Sequence, residues 1–162
     1  MQKLLQQSEC NFSVTYDLYG SMLFKISMIY LGNKEDAEEV MQEAFYRLLY
    51  KSPKFRDGEH EKAWLIRTTV NLCKDMLRSA WHKRVVKMED MEKHYDSPQE
   101  LNMIREILKL PAKYKTVIHL HYFEDYSVKQ IGEILHLKES AVKMRLQRGR
   151  QLLKIELEGE EK

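Results

Sequence analysis

Cysteine, glycine and proline are all scarce in this chain. Only Cys10 and Cys73 occur in 162 residues. Two cysteines make neither a disulfide framework nor a zinc signature, and Cys73 falls on an apolar helix face, where it reads as a small core residue. Six glycines and three prolines leave long stretches free of the residues that interrupt helices. No apolar run is long enough to span a bilayer and no leader pattern is visible. Those absences predict no membrane insertion and a reduced, cytoplasmic setting. No Ser/His/Asp arrangement, phosphate-binding glycine loop or carboxylate pair in an apolar setting appears, so an enzyme is not expected. His119 and His121 form an H-x-H pair, but helix residues two apart point in different directions. Neither a metal nor a cofactor is predicted.

Charge is plentiful and segregated. The formal net charge is only +2. Between Asn33 and Glu43, however, five acids face one lysine, and between Met88 and Glu100 five acids again face one lysine. Between Lys62 and Lys87 seven cations face Asp75 alone, and between Lys138 and Lys154 six cations face Glu139 alone. Blocks of alternating sign point to separate partner surfaces. Two basic blocks suggest two contacts with nucleic acid.

The apolar residues repeat with helical period almost throughout, which predicts an all-α fold. A first amphipathic helix runs from about Phe12 to Leu31, with Tyr16, Leu23, Ile26 and Ile29 expected inside. Gly32 stops it and Asn33 caps the next. In that second helix Ala37, Val40, Met41, Ala44, Phe45, Leu48 and Leu49 keep i, i+3, i+4, i+7 spacing. A polar loop, Phe55 to Lys62, contains Asp57-Gly58, a turn signal. A long helix follows, from about Ala63 to Arg84. Trp64 opens its apolar run and is expected in the core. Trp81 lies among Arg78, His82, Lys83 and Arg84 and suits either packing or stacking on an unpaired base. From Val85 to Gln99 the period is lost and acids dominate, so this segment reads as a linker. Helices are then expected over Leu101–Lys109 and Ala112–Phe123.

The stretch Tyr126 to Lys154 reads as a helix-turn-helix. Ser127 with Gln130 three residues on has capping-box spacing. The apolar pattern pauses at His136-Leu137-Lys138, a turn of the right length. Val142, Leu146, Gly149 and Leu153 form the inner face of a second helix whose other faces carry Lys143, Arg145, Arg148, Arg150 and Lys154. Such a helix suits the major groove. His136 stands where glycine is favoured, at the helix C-terminus.

Three motifs resemble one known family. DAEEVMQEAFYRLL (Asp36–Leu49), AWLIRTTVNLCKDMLR (Ala63–Arg78) and LPAKYKTVIHLHYFEDYSVKQIGEIL followed by VKMRLQRGR occur in the order found in the extracytoplasmic-function group of bacterial sigma factors. The likeness covers about Phe12 to Leu157. It implies sigma domain 2 over residues 1–84, an acidic linker over 85–99, and sigma domain 4 with its helix-turn-helix over 100–162. Asp36, Glu39, Gln42, Glu43 and Phe45 match the helix that docks on core RNA polymerase. The implied partners are that enzyme's β′ and β subunits, promoter DNA and an anti-sigma factor. Phe55, Arg56 and Lys62 match the loop that captures a flipped base of the −10 element, and Asn71, Lys74 and Arg78 the helix that handles the opened strand. Lys143, Met144, Gln147 and Arg148 match the −35-reading positions, with Arg145 and Arg150 as phosphate contacts or partners of acids within the domain. Met144, Gly132, Gly149 and His136 depart from the residues usual there. The implied function is promoter-specific initiation in the bacterial cytoplasm. The rivals are a stand-alone helix-turn-helix regulator, which leaves the acidic helix unexplained, and a helical adaptor, which leaves both basic blocks unexplained.

Overall fold

Helices form wherever the apolar period holds: among the described residues there are seven, and no strand. The structure, a computed structural model, describes the backbone at 2–79 and 97–161 and the side chains at 12–79 and 97–153. The chain divides into two units, Met1–Asp90 and Met91–Lys162. The expected linker and Trp81 lie outside the described residues, except for the last three linker positions.

The first unit contains α1 (Gln2–Leu31), α2 (Lys34–Lys51) and α3 (Gly58–Ser79). Gly32 takes φ 76° to end α1, a left-handed conformation that suits glycine. Asn33 then caps α2 reciprocally. Its Oδ1 accepts from the Asp36 backbone N–H at 2.9 Å, and its Nδ2 donates to Asp36 Oδ2 at 2.8 Å. The core is built from Leu23, Met28 and Leu31 of α1, Ala37, Val40 and Ala44 of α2, and Leu65, Ile66 and Val70 of α3. Burial of these side chains contributes about 1.5–3 kcal/mol for each large one.

Three expectations about this unit need correction. Tyr16 is 47% exposed and Leu49 42%; both apolar faces extend further than the core that covers them. The segment Phe55–Lys62 is a loop only as far as Asp57, because α3 begins at Gly58. Asp57 Oδ1 accepts from the His60 backbone N–H at 2.8 Å, so the Asp-Gly pair acts as a helix start, not a turn. Trp64 is only half-buried; it meets Phe55 edge-on, with ring centroids 5.6 Å apart.

The second unit contains α4 (Pro98–Leu108), α5 (Ala112–Tyr122), α6 (Val128–Leu135) and α7 (Glu139–Glu161). Ser97-Pro98 belongs to α4 rather than to the linker. Ser97 Oγ accepts from the Glu100 N–H at 3.1 Å, and proline fits the first turn, where its missing N–H costs nothing. The capping box at Ser127 forms in both directions, at 3.2 Å and 2.9 Å. His119 is buried and stacks on Phe123, while His121 Nδ1–H donates to the Tyr126 carbonyl at 2.8 Å. The two imidazoles therefore serve separate contacts.

Both unusual glycines and His136 are explained by packing. His136 takes φ 54°, ψ 49°, a left-handed conformation that histidine enters more readily than most residues. The reversal lets the Leu137 N–H donate to the Gly132 carbonyl at 2.9 Å, the 6→1 bond of a Schellman motif. It also returns the Leu137 carbonyl oxygen to within 2.7 Å of where a Gly132 Cβ would stand. At Gly149 an added Cβ would lie 2.9 Å from Ile118 Cγ1, so glycine lets α7 cross α5 closely.

Gly132→Ala should destabilise this unit by about 1–3 kcal/mol, because backbone must move. His136→Gly should stabilise it by about 0.5–1 kcal/mol, relieving the left-handed strain. Native-state hydrogen exchange at the α6 and α7 amides measures both. Equal protection in wild type and Gly132→Ala would refute the close-approach explanation.

Burial pushes the Cys73 thiol up to about 12 from the ordinary 9.0, with the Ser27 contact opposing in part. Folding favours the neutral thiol, so this contribution is complete below about 9 and is lost as pH rises towards about 12. Alkylation at pH 8 followed by peptide mass analysis should leave Cys73 unmodified in the folded chain and modify it on unfolding. Rapid labelling of the folded chain would contradict its placement.

Candidate functional site

Helix α2 separates its charges along its length. Glu35 and Asp36 fill its first turn and Lys51 its last, the arrangement the helix dipole favours. Its buried face is occupied by Ala37, Val40, Met41, Ala44 and Phe45, so the remaining positions form the outer wall against α3. Two grooves result, at opposite ends of the α2–α3 pair.

The first groove, of about 720 Å³, lies between the early part of α2 and the end of α3. Glu39, Gln42, Glu43 and Arg47 line one side and Asp75, Met76 and Ser79 the other. Glu39 and Gln42 are exposed. Glu43 holds Arg47 Nε at 3.1 Å. Two of the expected docking residues are engaged otherwise. Asp36 is half-buried and bonded to Asn33. Phe45 is 3% exposed and packs against the rings of Phe12 at 5.6 Å and Tyr16 at 5.0 Å. A ring so placed supports the α1–α2 junction and cannot face a partner.

The second groove, of about 480 Å³, lies between the end of α2 and the start of α3, lined by Arg47, Lys51, Trp64, Arg67, Thr68 and Asn71. It combines cations, one aromatic wall and one amide. Asn71 is exposed within it, and Lys74 and Arg78 continue the same stripe of α3 at i+3 and i+7. Arg78 also meets Asp75 at 3.8 Å, with both side chains mostly exposed, a pair of little energetic weight. Phe55 and Arg56 precede α3. Phe55 is half-buried between His60 and Trp64, Arg56 is exposed, and Lys62 is half-buried. The sequence reading missed Arg47, Lys51 and Arg67 as members of this site. For the α2 pair, the available signal was that cations follow acids along α2.

In the second unit, α7 buries Val142, Leu146 and Leu153. Lys143, Met144, Gln147 and Arg148 are all exposed. Their i, i+1, i+4, i+5 spacing gathers them on one outward face. Met144 is 66% exposed, unusual for so apolar a side chain in a field of cations. Arg145 is half-buried, and Arg150 Nη1 donates to the Tyr122 hydroxyl at 3.2 Å; neither belongs to that outward face. Among the described residues no helix is long and apolar enough to cross a membrane.

Comparison with known proteins matches each of the two units to a known region. Residues 15–83 match the family model Sigma-70 region 2, and residues 100–153 match Sigma-70, region 4. The ECF RNA polymerase sigma factor SigW of Bacillus subtilis is 32% identical over 165 residues, covering 90% of this chain and 88% of the relative. RNA polymerase sigma factor SigV of the same organism is 30% identical over 145 residues, covering 85% and 86%. Among solved structures, the sigma factor RpoE in complex with the anti-sigma factor NepR, from Bartonella quintana, shares the fold. Its TM-score is 0.71 at 20% identity, over 91% of this chain and 97% of that one. The family is not a class of enzymes. With both regions present in order and relatives matched over most of their length, this chain belongs to the ECF sigma factors, which bind core RNA polymerase and direct promoter-specific transcription initiation.

Proposed function

We propose that the three outward surfaces divide the work of initiation. The acidic groove of α2, with Glu39, Gln42 and Glu43 at its edge, docks on core polymerase, chiefly on a basic surface of β′, with β as the further contact. The cationic groove takes the opened −10 strand, with Asn71 reading a base and Arg56, Lys62, Lys74 and Arg78 holding phosphates. The outward face of α7 reads the −35 element in the major groove, with Arg145 and Arg150 steadying the helix or contacting phosphate. Residues 1–84 and 97–162 are the corresponding domains, joined through 85–96, since Ser97 already caps α4. The chain would act in the bacterial cytoplasm, where polymerase is found. An anti-sigma partner is supported by the complex in which the RpoE relative was solved.

The observation that carries this reading is the change of sign along one helix pair. Glu39, Glu43 and Asp75 line one groove, Lys51 and Arg67 line the other, and Arg47 borders both. An acidic protein-docking site and a site for a polyanion need opposite fields, because like charges oppose approach. A stand-alone duplex-binding regulator has no use for the aromatic wall at Trp64, which suits unpaired bases.

Glu39→Lys should weaken binding of the purified chain to core polymerase by about tenfold, equivalent to about 1.4 kcal/mol, with helix content unchanged. Fluorescence anisotropy with labelled chain reads the affinity and circular dichroism the fold. Unchanged affinity in an intact fold would remove α2 from the docking surface.

Arg148→Ala should cost about 1–3 kcal/mol at the preferred −35 site and relax base choice there. Met144 presents an apolar group of the kind that meets a thymine methyl. Replacing −35 thymines one at a time by deoxyuridine should therefore weaken binding of the wild-type holoenzyme at one position, and not that of Met144→Ala. A methyl effect that persists in the variant would assign it to another residue.

A further inference from the structure

We propose that His60 is a positioning residue for −10 recognition, the clasp that shapes the segment carrying Phe55 and Arg56. The inference rests on the −10 reading above. Three contacts converge on this one residue. Its backbone N–H is held by Asp57 Oδ1 at 2.8 Å, which starts α3. Its Nδ1 accepts from the Arg56 backbone N–H at 3.1 Å. Its ring meets Phe55 edge-on, with centroids 5.3 Å apart at 87°.

The chain has to turn from the exposed Pro53-Lys54 pair into α3 within a few residues. Arg56 precedes the helix, so its N–H has no helical acceptor. His60 supplies one from inside the first turn and thereby fixes the backbone on which the Arg56 side chain stands. Because Nδ1 accepts, the ring carries no proton there in this geometry. The ring side is equally used. Phe55 lies between His60 and Trp64, and Trp64 lines the cationic groove. His60 is therefore linked through Phe55 to the wall of the groove without lining it.

Two substitutions separate acceptor from ring. Asn places Oδ1 close to where His places Nδ1, and Phe keeps a ring with no acceptor. In the full chain assembled with core polymerase, His60→Phe should reduce permanganate reactivity of −10 thymines by about two- to tenfold, the range for one hydrogen bond. His60→Asn should recover most of that loss. Core-polymerase affinity, helix content and −35 base preference should be unchanged in both.

Wild-type opening by His60→Phe, or failure of His60→Asn to recover it, would overturn the proposal. So would a fall in helix content or polymerase affinity, which would make His60 a residue of the fold alone. A promoter with a scrambled −10 element separates the levels. If the wild type ignores the scrambling, the −10 reading fails and the clasp with it. If the wild type depends on the −10 element and His60→Phe opens it equally well, only the clasp fails.

Discussion

The burial of one face of α2 governs the whole first unit. Ala37, Val40, Met41, Ala44 and Phe45 are sunk against the neighbouring helices, and a helix so anchored has no freedom to rotate. Every outward residue of α2 is then assigned a direction. Glu39 and Gln42 face out beside the end of α3, and Arg47 and Lys51 face the cavity beside its start. Turning α2 by one residue, about a quarter of a revolution, would bury acids and expose the core. The polar surface is therefore a consequence of the apolar one.

The dipole of α2 and its two proposed partners pull in the same direction. Acids stabilise its N-terminal turn and a cation its C-terminal turn. The same order sets an acidic groove and a basic groove end to end, with Arg47 between them, tied to Glu43. Stability and function make one demand on the sequence here. At the loop before α3 they make different ones. In the proposed −10 contact Arg56 is needed outside, and its backbone needs an acceptor that the helix cannot supply. His60 reconciles the two, and no helical period would have singled it out.

The second unit depends on close approach. Gly149 admits Ile118, and Gly132 admits the carbonyl of Leu137. These glycines depart from the residues usual in the family, yet each occupies a place where a methyl group has no room. His136 completes the turn by accepting a left-handed backbone. The result is a closely packed platform from which Lys143, Met144, Gln147 and Arg148 project together.

By itself the sequence determined what local physics controls: which segments are helical, where Asn33 and Ser127 begin helices, and which helices carry which sign. Those properties depend on period, caps and charge, all written within a few residues. Tertiary structure decided what period cannot express. Phe45 lies on the helix matched to polymerase docking, but the rings of Phe12 and Tyr16 enclose it. Trp64 opens an apolar run, but Phe55 draws it to the rim of a groove. Arg47 and Lys51 of α2 meet Arg67 and Asn71 of α3 only because the two helices pack side by side. Burial and groove membership depend on residues far apart in the chain, so they become legible only when the helices are brought together.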